Sequence, residues 1–217
     1  MLASKLEALI DEQALQCQDP EDCYITDGVS WQQYDTLLTK LGDSSGLRIT
    51  YLDGVLEIVS PSRRHESRKT RIGTFLEIYF LETETEYFPL GSTTFRSQAK
   101  QGGTEPDESY CIGAEKAIPD LMVEVIATSG GVNKLAVFNR LGIPEVWFWQ
   151  NESLSLYHLR EQIPSRFIET YGYESITQSE LLHDLDVALL VKCIRHPSPL
   201  KAAKEFRDHL REKLNRD

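Results

Sequence analysis

The chain has 217 residues, of which 41% are apolar and 26% charged, values that suit one soluble globular domain with a substantial core. It contains no run of eighteen apolar residues, and its opening Met1-Leu2-Ala3-Ser4-Lys5 lacks an apolar signal stretch. Neither a membrane span nor a secretion signal is therefore expected, and the cytosol is the expected compartment. The formal net charge of −11 argues against a protein that simply coats nucleic acid, because phosphate neutralisation supplies much of that affinity.

Residues 2–16 read as an amphipathic helix, with Leu2, Leu6, Leu9, Ile10 and Leu15 near helical spacing. Residues 18–28 read as an acidic loop. Ser30 then precedes an apolar-periodic stretch from Trp31 to Leu41, with Gly42 as its stop. A hairpin follows: residues 47–51 and 55–59 flank Asp53-Gly54, a pair that tolerates the positive φ of a type I′ turn. Ser60-Pro61 closes the second strand and opens a long helix with apolar positions Ile72, Phe75, Leu76, Tyr79 and Phe80.

Residues 88–96 read as one or two strands broken at Gly91, and Gly102-Gly103 as a loop. Residues 118–126 form a nearly continuous apolar strand, as expected where both faces are buried. Asn133 and Gly142 mark the ends of a helix over 134–141. Val146-Trp147-Phe148-Trp149 is a buried strand with a hairpin partner over 153–159, and residues 166–171 offer an edge strand. Short helices are expected near Leu181-Leu182 and over 187–190, then a charged, exposed helix over 198–214. Alternating strands and helices with hairpins mixed in predict an α/β fold with a mixed sheet flanked by helices.

Charge is unevenly placed. Residues 61–71 hold Arg63, Arg64, Arg68, Lys69 and Arg71 against the single acid Glu66. Residues 192–217 hold eight Lys/Arg against four acids, whereas 72–191 hold seven against eighteen. Arg64, Arg68 and Arg71 share one helical face, either a solvated face or a stripe able to track a phosphate backbone. Cys17, Cys23, Cys111 and Cys193 form no C-x-x-C pair, and no histidine cluster completes a zinc set. Buried free thiols are expected.

Chemistry is concentrated in Glu105-Pro106-Asp107 and in Val123-Glu124-Val125-Ile126, followed by Lys134. Asp107 and Glu124 fall on two strands, and carboxylates on neighbouring strands can share one divalent cation. Hard oxygen donors favour Mg²⁺ or Mn²⁺. Glu124 interrupts an apolar strand, where a lone carboxylate costs several kcal/mol unless paired or metal-bound; a salt bridge or a strand end facing water is the plainer alternative. Lys134 opens a helix, where a cation slightly opposes the macrodipole. It is placed either to orient a water and stabilise a pentavalent phosphate or simply to meet solvent. Glu57 points away from the face of Leu56 and Ile58, and His65 opens the basic helix; each is a metal ligand, a proton-transfer group or an exposed residue. Asp53 reads as a turn residue. The glycines of Ser129-Gly130-Gly131 read as a flexible connection that lets Lys134 approach Glu124. No Gly-x-Ser-x-Gly, phosphate-loop or dinucleotide fingerprint is present.

Several segments together resemble the Uma-two family of restriction-endonuclease-like proteins. They are Arg48-Ile49-Thr50-Tyr51-Leu52-Asp53-Gly54-Val55-Leu56-Glu57, Ser60-Pro61-Ser62, His65-Glu66, Gly91-Ser92-Thr93-Thr94-Phe95, Glu105-Pro106-Asp107-Glu108, Pro119-Asp120-Leu121, Glu124-Val125, Asn133-Lys134-Leu135 and residues 141–149. The resemblance spans roughly residues 28–195 and places the chain in the PD-(D/E)XK nuclease superfamily. It implies a restriction-endonuclease-like mixed sheet flanked by helices, a divalent metal (Mg²⁺ or Mn²⁺), and endonucleolytic hydrolysis of DNA.

In that frame Asp107 and Glu124 are the motif acids and metal ligands. Ile126 stands where the motif lysine is usual, and Lys134 on the next helix takes its place. Glu57 is the early hairpin acid, and His65 a recurrent histidine that holds a ligand or touches substrate. DNA is the implied partner, with a homodimer expected, no membrane and no small-molecule cofactor; the Trp147/Trp149 strand either contributes to that dimer or, the more usual fate of such aromatics, packs in the core. The implied organisation is a nuclease domain over 1–195 with residues 1–42 as an extension, then a helical tail over 196–217. The alternatives are a catalytically silent nucleic-acid-binding or assembly protein on the same fold, and an enzyme for RNA or another phosphodiester.

Overall fold

The computed structural model describes residues 22–42, 46–126, 131–160 and 169–215. The expected helix over 2–16, Cys17, and residues 166–168 of the expected edge strand lie outside them. Among the described residues, two sheets and five helices form a mixed α/β architecture, the restriction-endonuclease-like fold expected from the sequence.

The first sheet is antiparallel throughout, in the order β1 (Asp22–Thr26), β3 (Val55–Ser60), β2 (Arg48–Leu52), β6 (Gly102–Thr104), β5 (Phe95–Ser97). Its central hairpin turns on Asp53 and Gly54, at φ 46° and 91°, the left-handed backbone of a type I′ turn. Helix α1 (Trp31–Leu41) starts in a capping box between Ser30 and Gln33. It packs Trp31 and Tyr34 against Ile49, Tyr51 and Leu56 on one face of this sheet.

Two segments read as loops are strands here. Residues 22–26 pair along the edge of β3, because tertiary pairing outweighs the acids around them. Gly102-Gly103 lies in β6 because the aromatic cluster demands a bare backbone: a Cβ on Gly103 would sit 2.3 Å from the Tyr34 hydroxyl oxygen.

The second sheet runs β11 (Tyr173–Ile176), β10 (Ser153–Leu159), β9 (Glu145–Gln150), β8 (Leu121–Ile126), β7 (Glu108–Ile112), β4 (Tyr87–Pro89). Only β8 and β9 run parallel, joined through α3 (Lys134–Leu141); the other pairs are antiparallel. Asn133 caps α3 and Gly142 closes it in the left-handed conformation, as the sequence predicts.

Both faces of β8 and β9 are buried, which explains their unbroken hydrophobicity. Leu121, Val123, Val125, Trp147 and Trp149 pack under α2 (Arg63–Glu82), α4 (Val187–Arg195) and α5 (Pro199–Leu214). Met122, Val146 and Phe148 pack on the other side, with Val137, Phe138 and Leu141 of α3. Trp147 and Trp149 are therefore interior residues and offer no dimer surface. The β9–β10 turn is Asn151-Glu152, both at positive φ, which costs a residue with a side chain about 1–2 kcal/mol.

The region near Leu181-Leu182 forms turns, and a single helix, α4, follows. Helix α5 is not the exposed rod its charges suggest, since Ala202, Phe206 and Leu210 enter the main core and Phe206 packs edge-on against Phe75. Cys111 and Cys193 are buried free thiols, whereas Cys23 is exposed on β1. Among the described residues, no helix is long and apolar enough to cross a membrane. Removing the Phe206 ring should destabilise the protein by about 3–5 kcal/mol. Chemical denaturation of Phe206→Ala measures it, and a loss below about 1 kcal/mol would mean that α5 is dispensable to the core.

Candidate active site

Glu124 lies in β8 with its side chain on the α3 side of the sheet, by strand alternation with Val123 and Val125. The β7–β8 register pairs Glu108 with Val123 and Ser109 with Met122. Continued by one residue, it sets Asp107 opposite Glu124. Asp107 is 1% exposed and fully engaged: Oδ2 accepts from the Val125 backbone N–H at 2.7 Å, and Oδ1 lies 2.8 Å from His65 Nε2. His65 occupies the third position of α2, where its own N–H is held by the cap residue Ser62. Arg48 Nε stands 3.9 Å from Asp107 Oδ1, a charge contact beyond hydrogen-bond reach.

The first sheet supplies the opposite wall. Its register aligns Glu57, Thr50 and Thr104 across three strands on the face away from α1. The Thr50 and Thr104 hydroxyls are 3.1 Å apart. Lys134, at the first turn of α3, donates to Thr50 Oγ1 at 2.6 Å and reaches Glu57 Oε1 at 3.1 Å and Glu124 Oε1 at 3.8 Å. The other Glu57 oxygen accepts from the Val132 N–H at 2.8 Å.

Gly131 fits this approach by necessity, since a Cβ there would fall 1.6 Å from Glu57 Oε2. Its lack of a side chain serves close packing, not the flexibility read from the glycines. Residues 127–130 lie outside the described segments.

All five sequence candidates, Glu57, His65, Asp107, Glu124 and Lys134, thus line one buried cluster between the two sheets. Thr50, Thr104 and Arg48 join them without having been singled out as site residues, and Gly131 joins as a close-packing position. One signal for Thr50 was available, because a two-residue Asp53-Gly54 turn sets Thr50 directly across from Glu57. Glu105, beside the motif aspartate, is structural: it accepts from the Ile49 N–H and the Thr94 hydroxyl. Asp53 adds an ion pair with Arg140 of α3 to its turn role. The Arg64/Arg68/Arg71 face is not an open stripe. Arg68 and Arg71 donate to the Ile194 carbonyl, and Arg64 and Arg68 pair with Glu152.

Two buried glutamates on adjacent strands have opposite surroundings. Glu145 receives the Trp147 indole N–H, the Ser179 hydroxyl and the Glu180 N–H, with His158 at 3.3 Å. Glu124 Oε1 is buried with no hydrogen-bond partner. Burial pushes the Glu124 carboxyl up to about 8; Lys134 and His65 pull it down, while Asp107 and Glu57 add to the rise. Burial alone would lower Lys134, but the carboxylates of Glu124 and Glu57 outweigh it and hold the ammonium above its ordinary value. Lys134 is therefore a cation that donates, not a base.

Among the described residues, no three His, Cys, Asp or Glu side chains converge as a ready metal cluster. Asp107 and Glu124 do provide hard carboxylate donors, and the orphaned Glu124 oxygen is the kind of atom a cation satisfies. That donor set fits Mg²⁺ or Mn²⁺, which bind through one or two carboxylates and keep several waters.

The raised Glu124 pKa has a sign that can be checked in chelator. The folded state holds its proton up to about pH 8, whereas the ordinary value is 4.5, so wild-type stability falls as pH rises through that window. Glu124→Gln removes the titration, and its melting temperature should gain on the wild type from about pH 5 to about pH 8.5; a constant difference would contradict the assignment. Gly131→Ala should cost about 1–3 kcal/mol through overpacking, read by denaturant titration, and an unaffected midpoint would show that the Glu57 contact yields freely.

No curated protein shows a significant match to the chain. The family model Uma2, described as "Putative restriction endonuclease", matches residues 31–190, a span that contains the second sheet, all of the first except β1, and every member of the cluster. The chain belongs to the Uma2 family and, with it, to the restriction-endonuclease-like superfamily.

Proposed function

We propose that the protein is a Mg²⁺- or Mn²⁺-dependent endonuclease that hydrolyses DNA phosphodiester bonds at the Asp107–Glu124–Lys134 cluster. The observation that carries this reading is the unpartnered Glu124 oxygen, buried beside Asp107 and an ammonium held in its charged form. An unsatisfied buried carboxylate is costly, and a structural carboxylate on the neighbouring strand, Glu145, has no such deficit.

Asp107 and Glu124 would hold the metal. When bound, it supplies Lewis-acid stabilisation of phosphoryl charge and a more acidic water. His65 positions Asp107 through its 2.8 Å contact, and the Val125 N–H fixes the other oxygen. Glu57, engaged by Lys134 and Val132, acts as a positioning residue that aims the lysine. Lys134 donates to the attacking water or a non-bridging phosphate oxygen, favouring the charge that develops as water attacks phosphorus and the bond to the leaving sugar oxygen breaks. A catalytically silent nucleic-acid-binding or assembly protein on the same fold is the second reading, and the net charge of −11 favours its assembly form.

Supercoiled plasmid separates the two. Wild type with Mg²⁺ or Mn²⁺ should nick or linearise it, and chelator should stop the reaction. Lys134→Met should slow cleavage about 10²- to 10³-fold, the range for losing one transition-state donor, and Asp107→Ala should abolish it. DNA that stays intact in every form tried, with binding unchanged in Asp107→Ala, would establish the silent binder instead.

A further inference from the structure

We propose that Glu152 occupies a phosphate-binding cleft leading into the active site, and that an entering DNA strand displaces it. The inference rests on the nuclease reading above and adds where the strand lies and what guards its path.

Five arginines, Arg63, Arg64, Arg68, Arg71 and Arg195, line a cavity of about 410 Å³ between α2 and the end of α4, together with His196 and no carboxylate. In a chain of net charge −11, this is a concentrated patch of the sign a polyanion requires. A second cavity of about 140 Å³ shares Arg64 and Arg68 and is also lined by His65, Trp149 and Glu152. His65 contacts Asp107, so one wall of the second cavity lies a single side chain from the proposed catalytic cluster.

The arginines divide by task. Arg71 donates to the Ile194 and His196 carbonyls, both at 2.7 Å, and Arg68 Nη1 to Ile194 at 3.0 Å. Those bonds fasten the end of α4. Donors of Arg64, Arg68 and Arg195 converge on Glu152. Arg64 Nη2 meets Oε1 at 2.9 Å, Arg68 Nη2 meets Oε2 at 2.8 Å, and Arg195 Nε meets the Glu152 carbonyl oxygen at 2.6 Å. A carboxylate gripped by two guanidinium groups presents the charge and oxygen spacing that a phosphate would present to the same forks. Burial acts to raise the Glu152 carboxyl, but Arg64 and Arg68 prevail and hold it below the ordinary range.

The turn itself does not call for glutamate. Position 152 has φ 58°, where glycine is the unstrained choice. Part-exposed ion pairs of this kind contribute little each, so the side chain can swing aside at little net cost. Its effect is to keep a strongly basic cleft closed to weak anions and open to a strand that brings several phosphates at once.

Fluorescence anisotropy of a labelled DNA duplex, in chelator so that nothing is cut, tests this. Glu152→Gly, which suits the turn, and Glu152→Gln should both bind roughly five- to tenfold more tightly than wild type at low salt, as expected when a competing fixed anion is removed. The double variant Arg64→Ala/Arg195→Ala should bind more weakly, with its log–log salt slope reduced by about 2. Thermal melts confirm that each variant is folded. Equal or weaker binding by both Glu152 variants, or an unchanged salt slope in the double variant, overturns the proposal. The two readings fail separately: intact plasmid counts against the nuclease, whereas unaltered affinity at position 152 counts against the displaceable acid.

Discussion

One ammonium group holds this site together. Lys134 Nζ bonds Thr50 and Glu57 from the first sheet and faces Glu124 from the second. Each buried ion costs several kcal/mol to desolvate. A pair about 4 Å apart returns roughly 4 kcal/mol at an effective dielectric constant near 20, so one partner would leave the lysine near break-even. The Thr50 hydroxyl beside the Glu57 carboxylate tips the balance, and the Glu124 carboxylate adds to the hold on the ammonium once it loses its proton. Placing a cation at a helix start opposes the macrodipole by only about 0.3–1 kcal/mol. That term is too small to decide anything here. The apolar face of α3, with Val137, Phe138 and Leu141, seats the helix against the second sheet, and the charge contact at its first turn ties that helix to the first sheet at the site.

The same constraint explains why the site's carboxylates are not alike. Asp107 has both oxygens committed, to His65 and to the Val125 N–H. It is fixed in direction before anything binds. Glu57 is committed to Val132 and Lys134, at a distance that leaves no room for a side chain on residue 131. Only Glu124 keeps an unsatisfied oxygen, and it is the group whose proton affinity rises toward neutrality. Preorganised neighbours around one unsatisfied acceptor concentrate the electrostatic cost where an incoming cation can relieve it. Glu145 shows the contrast one strand away: full satisfaction makes a buried glutamate a fastener between β9 and residues 179–180.

Much of this was legible in sequence because local rules determined it. The Asp53-Gly54 turn fixed a register, Ser30 and Asn133 marked helix starts, and the apolar run of β8 announced a strand buried on both faces. Glu124 was nameable because an acid in an apolar strand is expensive, Asp107 and Lys134 because of their order around it, and Glu57 and His65 mainly through the resemblance to the Uma-two family. What escaped depends on contacts between distant segments. β1 exists because β3 has an edge to pair, and Gly103 sits in a strand because Tyr34 approaches it. The charges of α5 hide a face whose apolar residues are widely spaced, and Phe206 is buried by partners more than a hundred residues away. The arginine face of α2 was correctly placed on one side of a helix, but its partners, the Ile194 carbonyl and Glu152, lie on remote elements.

Those partners bear on how an acidic chain meets a polyanion. Net charge governs approach from afar, but beyond a screening length of about 8–10 Å at ordinary salt it is largely muted. Contact is decided by local groups, and the mouth of this site concentrates arginines. Left bare, such a cleft would attract any anion and repel itself. A hairpin carboxylate that neutralises part of it, at a backbone position where the side chain is tolerated rather than favoured, lowers both penalties while remaining exchangeable. The −11 of the whole chain and the basic cleft are then compatible. The first disfavours indiscriminate adsorption, and the second admits a ligand able to present several phosphates in the geometry of the guanidinium forks.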